Sequence, residues 1–343
     1  MVLWILAGMP VRVAPAGNDL AFLKGANMLK ENGKKMVLCL LVFSLLSCGT
    51  VLGTMTGAVG DLYVARYWSG GVYQFDQTTG ALVPNSYTTS NSFGVTGHGD
   101  GSIGLLWRPD GSGLLVNSSG TGPVVEINGQ NGSTVGDLFT TELNNAYDMV
   151  WGPTGATVLV VNRSSGSVQE FNGTTGAWIR TAAAGVNNPL SLVLNPITGN
   201  ILVGTTTSGV IKFDYTIGNN LGSFASIGRC EGLMVNQAGN LWASDLGSNT
   251  VKEFQPDGTY VRDIGSVGLT GPGPITVRPT NGNLLVANGG TEQILEYNGS
   301  TGAFVGVFVS GINTPLHMGF KPVPEPSTLG LLVLGVVGLI RRR

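Results

Sequence analysis

The chain has 343 residues, of which 54 are glycine and only 11% are Asp, Glu, Lys or Arg. A hydrophobic fraction of 42% excludes a disordered chain without a core, and glycines lacking a three-residue period exclude collagen. Net charge is −2, and residues 60–320 carry 9 basic against 17 acidic groups, which excludes the basic footprint of a nucleic-acid binder.

The first element is an address. Lys30, Lys34 and Lys35 precede the apolar run MVLCLLVFSLL at 36–46. Basic residues ahead of ~7–15 apolar ones read as a secretory signal helix. Cleavage would follow Gly53 or Ala58; an uncleaved N-terminal anchor is the alternative. Residues 1–27 do not look like the front of such a signal, so Met28 is a candidate start. Residues 1–58 are therefore set apart as an over-extended start plus signal peptide. Leu45-Leu46-Ser47-Cys48 resembles a bacterial lipoprotein signal with Cys48 as lipid acceptor, although Leu46 fits that box poorly. Two of the three cysteines lie in this segment, so Cys230 stands alone in the body and no intrachain disulfide is expected.

Next comes a motif written six times: a polar residue, an aromatic or Ile, then a polar residue, usually Asn or Asp. It reads Gln74-Phe75-Asp76, Glu126-Ile127-Asn128, Glu170-Phe171-Asn172, Lys212-Phe213-Asp214, Glu253-Phe254-Gln255 and Glu296-Tyr297-Asn298. The middle residues are 52, 44, 42, 41 and 43 apart, and a Gly-containing turn follows each. Upstream lie an apolar strand such as GNLLVA at 282–287 and, before it, another ending near proline, such as ITVRP at 275–279. Four short strands per ~43 residues is the pattern of a β-propeller blade. The first unit lacks its first strand, and a spare first-type strand occurs at 316–320. The expected fold is all-β: a six-bladed propeller over 60–320, with four-stranded blades and the first blade closed by strand 316–320. Closure removes the sheet edges that invite aggregation. The long first spacing puts extra residues near Gly97-His98-Gly99-Asp100-Gly101, in a protruding loop suited to a binding face.

The repeats resemble NHL and related six-bladed propellers. Asp245, Asn249 and Phe254 fall where NHL repeats favour Asp, Asn and Phe. Counting back from the other markers gives Arg66, Ser118, Asn162, Gly204 and Asn288 as equivalents of Asp245. Some six-bladed relatives, such as gluconolactonase-like enzymes, hold a divalent cation at the channel mouth. The weak metal candidates here are Asp148, Glu231 and His317, with Ser191; aligned on the downstream proline, Asp148, Ser191 and His317 share a register and Glu231 is one residue out. Their other equivalents, Gly104, Gly232 and Pro274, offer no ligand, and calcium wants ~6–8 oxygens. Ser191, His317 and Asp148 can also be written as a triad, but no G-x-S-x-G elbow precedes the serine. No cofactor and no catalytic residue is expected. Trp107, Trp151 and Trp242 read as core; Trp68, beside a Ser-Gly-Gly turn, reads as exposed. Asn117, Asn131, Asn172 and Asn298 open Asn-x-Ser/Thr strings, read as turn composition.

The last element, 321–343, is a second address: Val323-Pro324-Glu325-Pro326-Ser327, then TLGLLVLGVVGLI to Ile340, then Arg341-Arg342-Arg343. The apolar run is about 20 Å long as a helix, lengthened by its flanks, and the arginines stay cytoplasmic by the positive-inside rule. This order resembles the PEP-CTERM sorting signal. The resemblance implies export in a Gram-negative bacterium, anchoring in the cytoplasmic membrane by the C-terminal helix, and processing by an exosortase that reads Pro324, Glu325 and Pro326. It also implies a final place at the cell surface or in an extracellular matrix. The expected role is a binding or scaffold module with polysaccharide or protein as partner; the alternative is a metal-dependent lactonase- or hydrolase-like enzyme at the channel mouth.

Overall fold

The computed structural model describes residues 60–66, 71–83, 102–118, 120, 122–236 and 238–322, with the backbone of two short strands near the N-terminus. Those two, β1 (Val2–Ile5) and β2 (Met9–Arg12), pair antiparallel within a unit spanning Met1–Met55. The signal helix, Cys39, Cys48, Trp68, the 84–101 loop with His98, and the C-terminal helix lie outside the described residues.

The second unit, Thr56–Arg343, contains the propeller. β3 (Leu62–Arg66) and β4 (Val72–Phe75) open blade 1. Blade 2 is β5 (Ser102–Trp107), β6 (Gly113–Ser118), β7 (Val124–Asn128) and β8 (Thr134–Phe139). Blade 3 is β9 (Ala146–Trp151), β10 (Thr157–Asn162), β11 (Ser167–Asn172) and β12 (Trp178–Ala184). Blade 4 is β13 (Pro189–Leu194), β14 (Ile201–Thr205), β15 (Val210–Phe213) and β16 (Asn220–Ala225). Blade 5 is β17 (Leu233–Val235), β18 (Leu241–Asp245), β19 (Thr250–Phe254) and β20 (Tyr260–Ile264). Blade 6 is β21 (Pro272–Val277), β22 (Leu284–Asn288), β23 (Gln293–Tyr297) and β24 (Phe304–Ser310). The last strand, β25 (Pro315–Phe320), pairs with β3, so blade 1 is closed by the strand the repeat left over. It starts one residue earlier than the repeat implies. A bridge from Phe75 to Leu82 marks the fourth strand of blade 1.

Each six-fold marker sits at the end of a third strand. Second strands are buried along their length, as in Val158–Val161 and Leu284–Ala287, because a blade is packed on both faces; their sequences are therefore continuous apolar runs. Core clusters lie between blades. Leu115, Val124 and Phe139 of blade 2 meet Val158, Val160 and Phe171 of blade 3, with Phe139 and Phe171 stacked at 4.7 Å. The ring closes the same way: Leu285, Ile294 and Phe308 of blade 6 pack with Leu62, Phe75 and Met318 of blade 1.

The antiparallel order gives the ring two unlike faces. Turns between first and second strands and between third and fourth strands lie on one, here the lower face. Turns between second and third strands, and the connectors from blade to blade, lie on the upper face.

Candidate functional site

On the lower face, five of the six third-to-fourth-strand turns are built alike. The Asn or Asp of the marker accepts the backbone N–H groups two and three residues on, as Asn172 does from Thr174 and Thr175 at 3.0 and 2.8 Å. Asp76, Asn128, Asp214 and Asn298 repeat this. Such Asx turns explain the residue type without a ligand. The turn ends on a glycine that abuts the preceding blade: Gly176 has φ +74°, and a Cβ there would lie 1.8 Å from the Leu138 carbonyl.

Cations lock four of the six blades to the next across these turns. Arg108 pairs with Glu126 and donates to Gly173 O in blade 3 at 3.0 Å. Arg278 pairs with Glu296 and donates to Gln77 O and Thr78 O of blade 1 at 2.6–2.9 Å. Lys321, only 5% exposed, donates to Gly129 O of blade 2 at 2.7 Å and lies over the Trp107 ring. Burial holds its ammonium below the ordinary lysine range, against the pull of Asp61. In blade 3 the corresponding position is Gly152, and Arg180 of the fourth strand substitutes, pairing with Glu170 and reaching Tyr215 O and Thr216 O. These latches were not foreseen from the repeat; the only sequence signal is Arg or Lys before proline.

At the upper end of the channel the structure brings together two of the predicted candidates. His317 Nε2 of blade 1 lies 2.8 Å from Asp148 Oδ1 of blade 3, reaching past Gly104 of blade 2. A carboxylate only accepts, so Nε2 carries the proton. Asp148 also accepts Leu192 N–H of blade 4 at 2.8 Å and Met149 N–H at 2.7 Å. One buried carboxylate thus ties three blades. Ser191 donates to Cys230 O at 3.3 Å, and no hydrogen bond joins it to His317. Glu231 pairs with Arg229. Among the described residues no group of three or more His, Cys, Asp or Glu is placed to hold a metal ion. Gly104 and Gly232 sit where inner strands converge: a Cβ on either would lie within 2.6 Å of a neighbouring carbonyl. The Cys230 thiol is fully buried and pushed up to about 12 by desolvation, which leaves it unreactive.

Second-strand ends on the upper face hold the connectors. Asn162 takes Asn144 N–H and gives to Glu142 O; Asn288 takes Thr270 N–H and gives to Gly268 O; Asp245 takes Gly228 N–H. Strand register makes Thr205, not Gly204, the blade 4 equivalent, because Ile201 pairs with Phe213 across a turn one residue shorter. Trp107 and Trp242 are buried as expected, whereas Trp178, which the sequence did not single out, is 45% exposed with its N–H on Gln169. Asn117 is fully buried and accepts Gly104 N–H, so it presents no surface for modification.

Residues 322–343 match the PEP-CTERM protein-sorting motif. The chain carries that motif on a six-bladed propeller. No curated protein sequence matches it. Among solved structures, a chain from the crystal structure of a nidogen/laminin complex superposes with TM-score 0.62, covering 77% of this chain and 99% of that chain at 13% identity. That likeness establishes the propeller and does not select a repeat family. The PEP-CTERM motif marks the chain for export to the cell surface. Among the described residues no helix is long and apolar enough to cross a membrane, and the apolar run at 328–340 lies outside them.

Proposed function

We propose that this protein is an exported propeller that serves as a binding or scaffold module of the cell envelope or extracellular matrix. The observation that carries the reading is a sorting motif joined directly to a closed ring. Its C-terminal helix anchors the precursor in the cytoplasmic membrane, with Arg341, Arg342 and Arg343 on the cytoplasmic side. An exosortase-type enzyme reads Pro324, Glu325 and Pro326 and releases the propeller to the surface, where polysaccharide or protein is its partner. Binding is favoured over chemistry because Asp148 and His317 engage each other and Ser191 faces a carbonyl.

The test is fractionation of cells expressing the wild type and a Glu325→Ala/Pro326→Ala variant. The wild type should lose mass at its C-terminus and reach the surface or medium. The variant should stay full-length in the cytoplasmic membrane. Equal processing of both overturns the sorting role of these residues.

A further inference from the structure

The propeller's two chain ends meet on one face. Gly60 N–H donates to Lys321 O at 3.1 Å, and Lys321 N–H donates to Asp61 O at 3.0 Å. β25 runs from the upper to the lower face, so Pro322 emerges at the lower face, where its carbonyl lies against Gly111 in the first-to-second-strand turn of blade 2. β25 is an innermost strand, so the exit is close to the ring axis.

From Pro322 to Leu329, where the apolar run is under way, there are seven residues. At ~3.5 Å per residue they span at most about 25 Å. Four strands at ~4.8 Å spacing put the rim roughly 19 Å from the axis, and six-residue strands make the ring roughly 20 Å thick. Turning the upper face to the membrane would require a path of about 40 Å around the rim. The tether is too short for that.

We infer that the anchored precursor stands with its lower face to the membrane and presents its upper face outward, so that the upper face is the one that meets partners. The inference rests on the anchoring read above. The outward surface then holds the blade connectors, the second-to-third-strand turns and the Asp148–His317 end of the channel. The membrane-side surface holds the Asx turns. Its cations Arg108, Arg278 and Lys321 are engaged on carboxylates or turn carbonyls, while Asp76, Asp110, Asp214 and Asp257 remain in its turns. Among the described residues of these turns no free cation attracts an anionic bilayer; it is the short tether that excludes the inverted orientation.

The test compares two variants of the full chain, each with one accessible cysteine and both also carrying Cys39→Ala and Cys48→Ser; Cys230 is buried and stays silent. Ser164→Cys lies in the upper turn of blade 3 and Thr174→Cys in its lower turn, and both positions are exposed. Spheroplasts of a host without an exosortase are treated with a bulky, membrane-impermeant polyethylene-glycol maleimide. Ser164→Cys should label fully and Thr174→Cys should lose most of its labelling, with both labelling equally in detergent. A 20-residue Gly-Ser spacer after Pro322, with a root-mean-square reach of about 25 Å, should restore Thr174→Cys. Equal labelling in a chain that sediments with membranes overturns the orientation. A chain absent from the membrane fraction overturns the anchoring on which it rests, and the orientation with it.

Discussion

Blades 1 and 3 perform the same structural task from different chain segments. Blade 3 is continuous from Ala146 to Ala184. Its marker carboxylate, Glu170, takes Arg180, the Thr157 hydroxyl and the Tyr215 hydroxyl, while Arg180 reaches on to the carbonyls of blade 4. Blade 1 is assembled from residues near both ends of the propeller. Gln74 stands at the marker position and its amide donates to buried Asp61 at 2.7 Å, and the cation that reaches the next blade, Lys321, follows the closing strand. The difference teaches that the repeat conserves a position's job rather than its residue. It also makes ring closure and one blade-to-blade latch depend on the same short segment.

The sharpest way to break this comparison is to remove residues 315–322 with everything after them. β3 would keep β4 but lose its inner partner, and Leu62, Phe75 and Phe308 would lose Met318 from their cluster. The expected outcome is loss of the cooperative unfolding transition, or association through the bared edge, by circular dichroism and sedimentation. A stable monomer would show that closure is dispensable. Next in size is Arg278→Met. It leaves Glu296, which is nearly buried, with the Asn281 and Asn283 amides but no cation, and removes donors from two blade 1 carbonyls, so a loss of about 3 kcal/mol is expected from urea melts. Arg180→Met in blade 3, where the arginine is more exposed, should cost about half of that. Equal losses would mean that the closing junction bears no extra load.

A smaller effect separates backbone conformation from blade contact. Gly155 and Gly176 both have φ above +70°, but a Cβ at Gly155 meets nothing, whereas one at Gly176 runs into Leu138 O. Gly155→Ala should cost about 1 kcal/mol for its left-handed backbone, and Gly176→Ala about 2–3 kcal/mol because blades 2 and 3 must also part. Equal costs in thermal melts would remove the packing argument.

Much of this was legible in the sequence, for a physical reason. Strand, turn and period are local, so markers from Phe75 to Tyr297 and the spare strand at the C-terminal end could be found by counting. Counting failed where a turn lost one residue, which put Gly204 in the place of Thr205. Contacts between blades were hidden because their partners lie far apart in the chain: 65 residues separate Arg108 from Gly173, and 169 separate Asp148 from His317. The sequence set Asp148, Ser191 and His317 in one register, yet could not show that the inner strands converge closely enough for the first and last to meet. It therefore offered as open ligands two groups that bind one another.

The last and smallest effect is in acid. Glu253 and Glu296 are pushed up by burial, but Asn240 and Arg262 for the one, and Asn283, Asn281 and Arg278 for the other, outweigh it and hold both below the ordinary value of 4.5. A carboxylate lowered by folding contributes stability that is fully present above its unfolded value and is lost as pH falls through the folded one. Blade 1 has Gln74 at that position and contributes no such titration there. The wild type should therefore lose urea resistance on going from pH 5 to pH 3. Glu296→Gln, less stable at neutral pH because Arg278 then faces a neutral amide, should lose less over the same interval. If both lose the same amount, Glu296 does not supply the acid sensitivity, and the junction between blades 6 and 1 is held by the Arg278 contacts to Gln77 and Thr78 rather than by the carboxylate behind them.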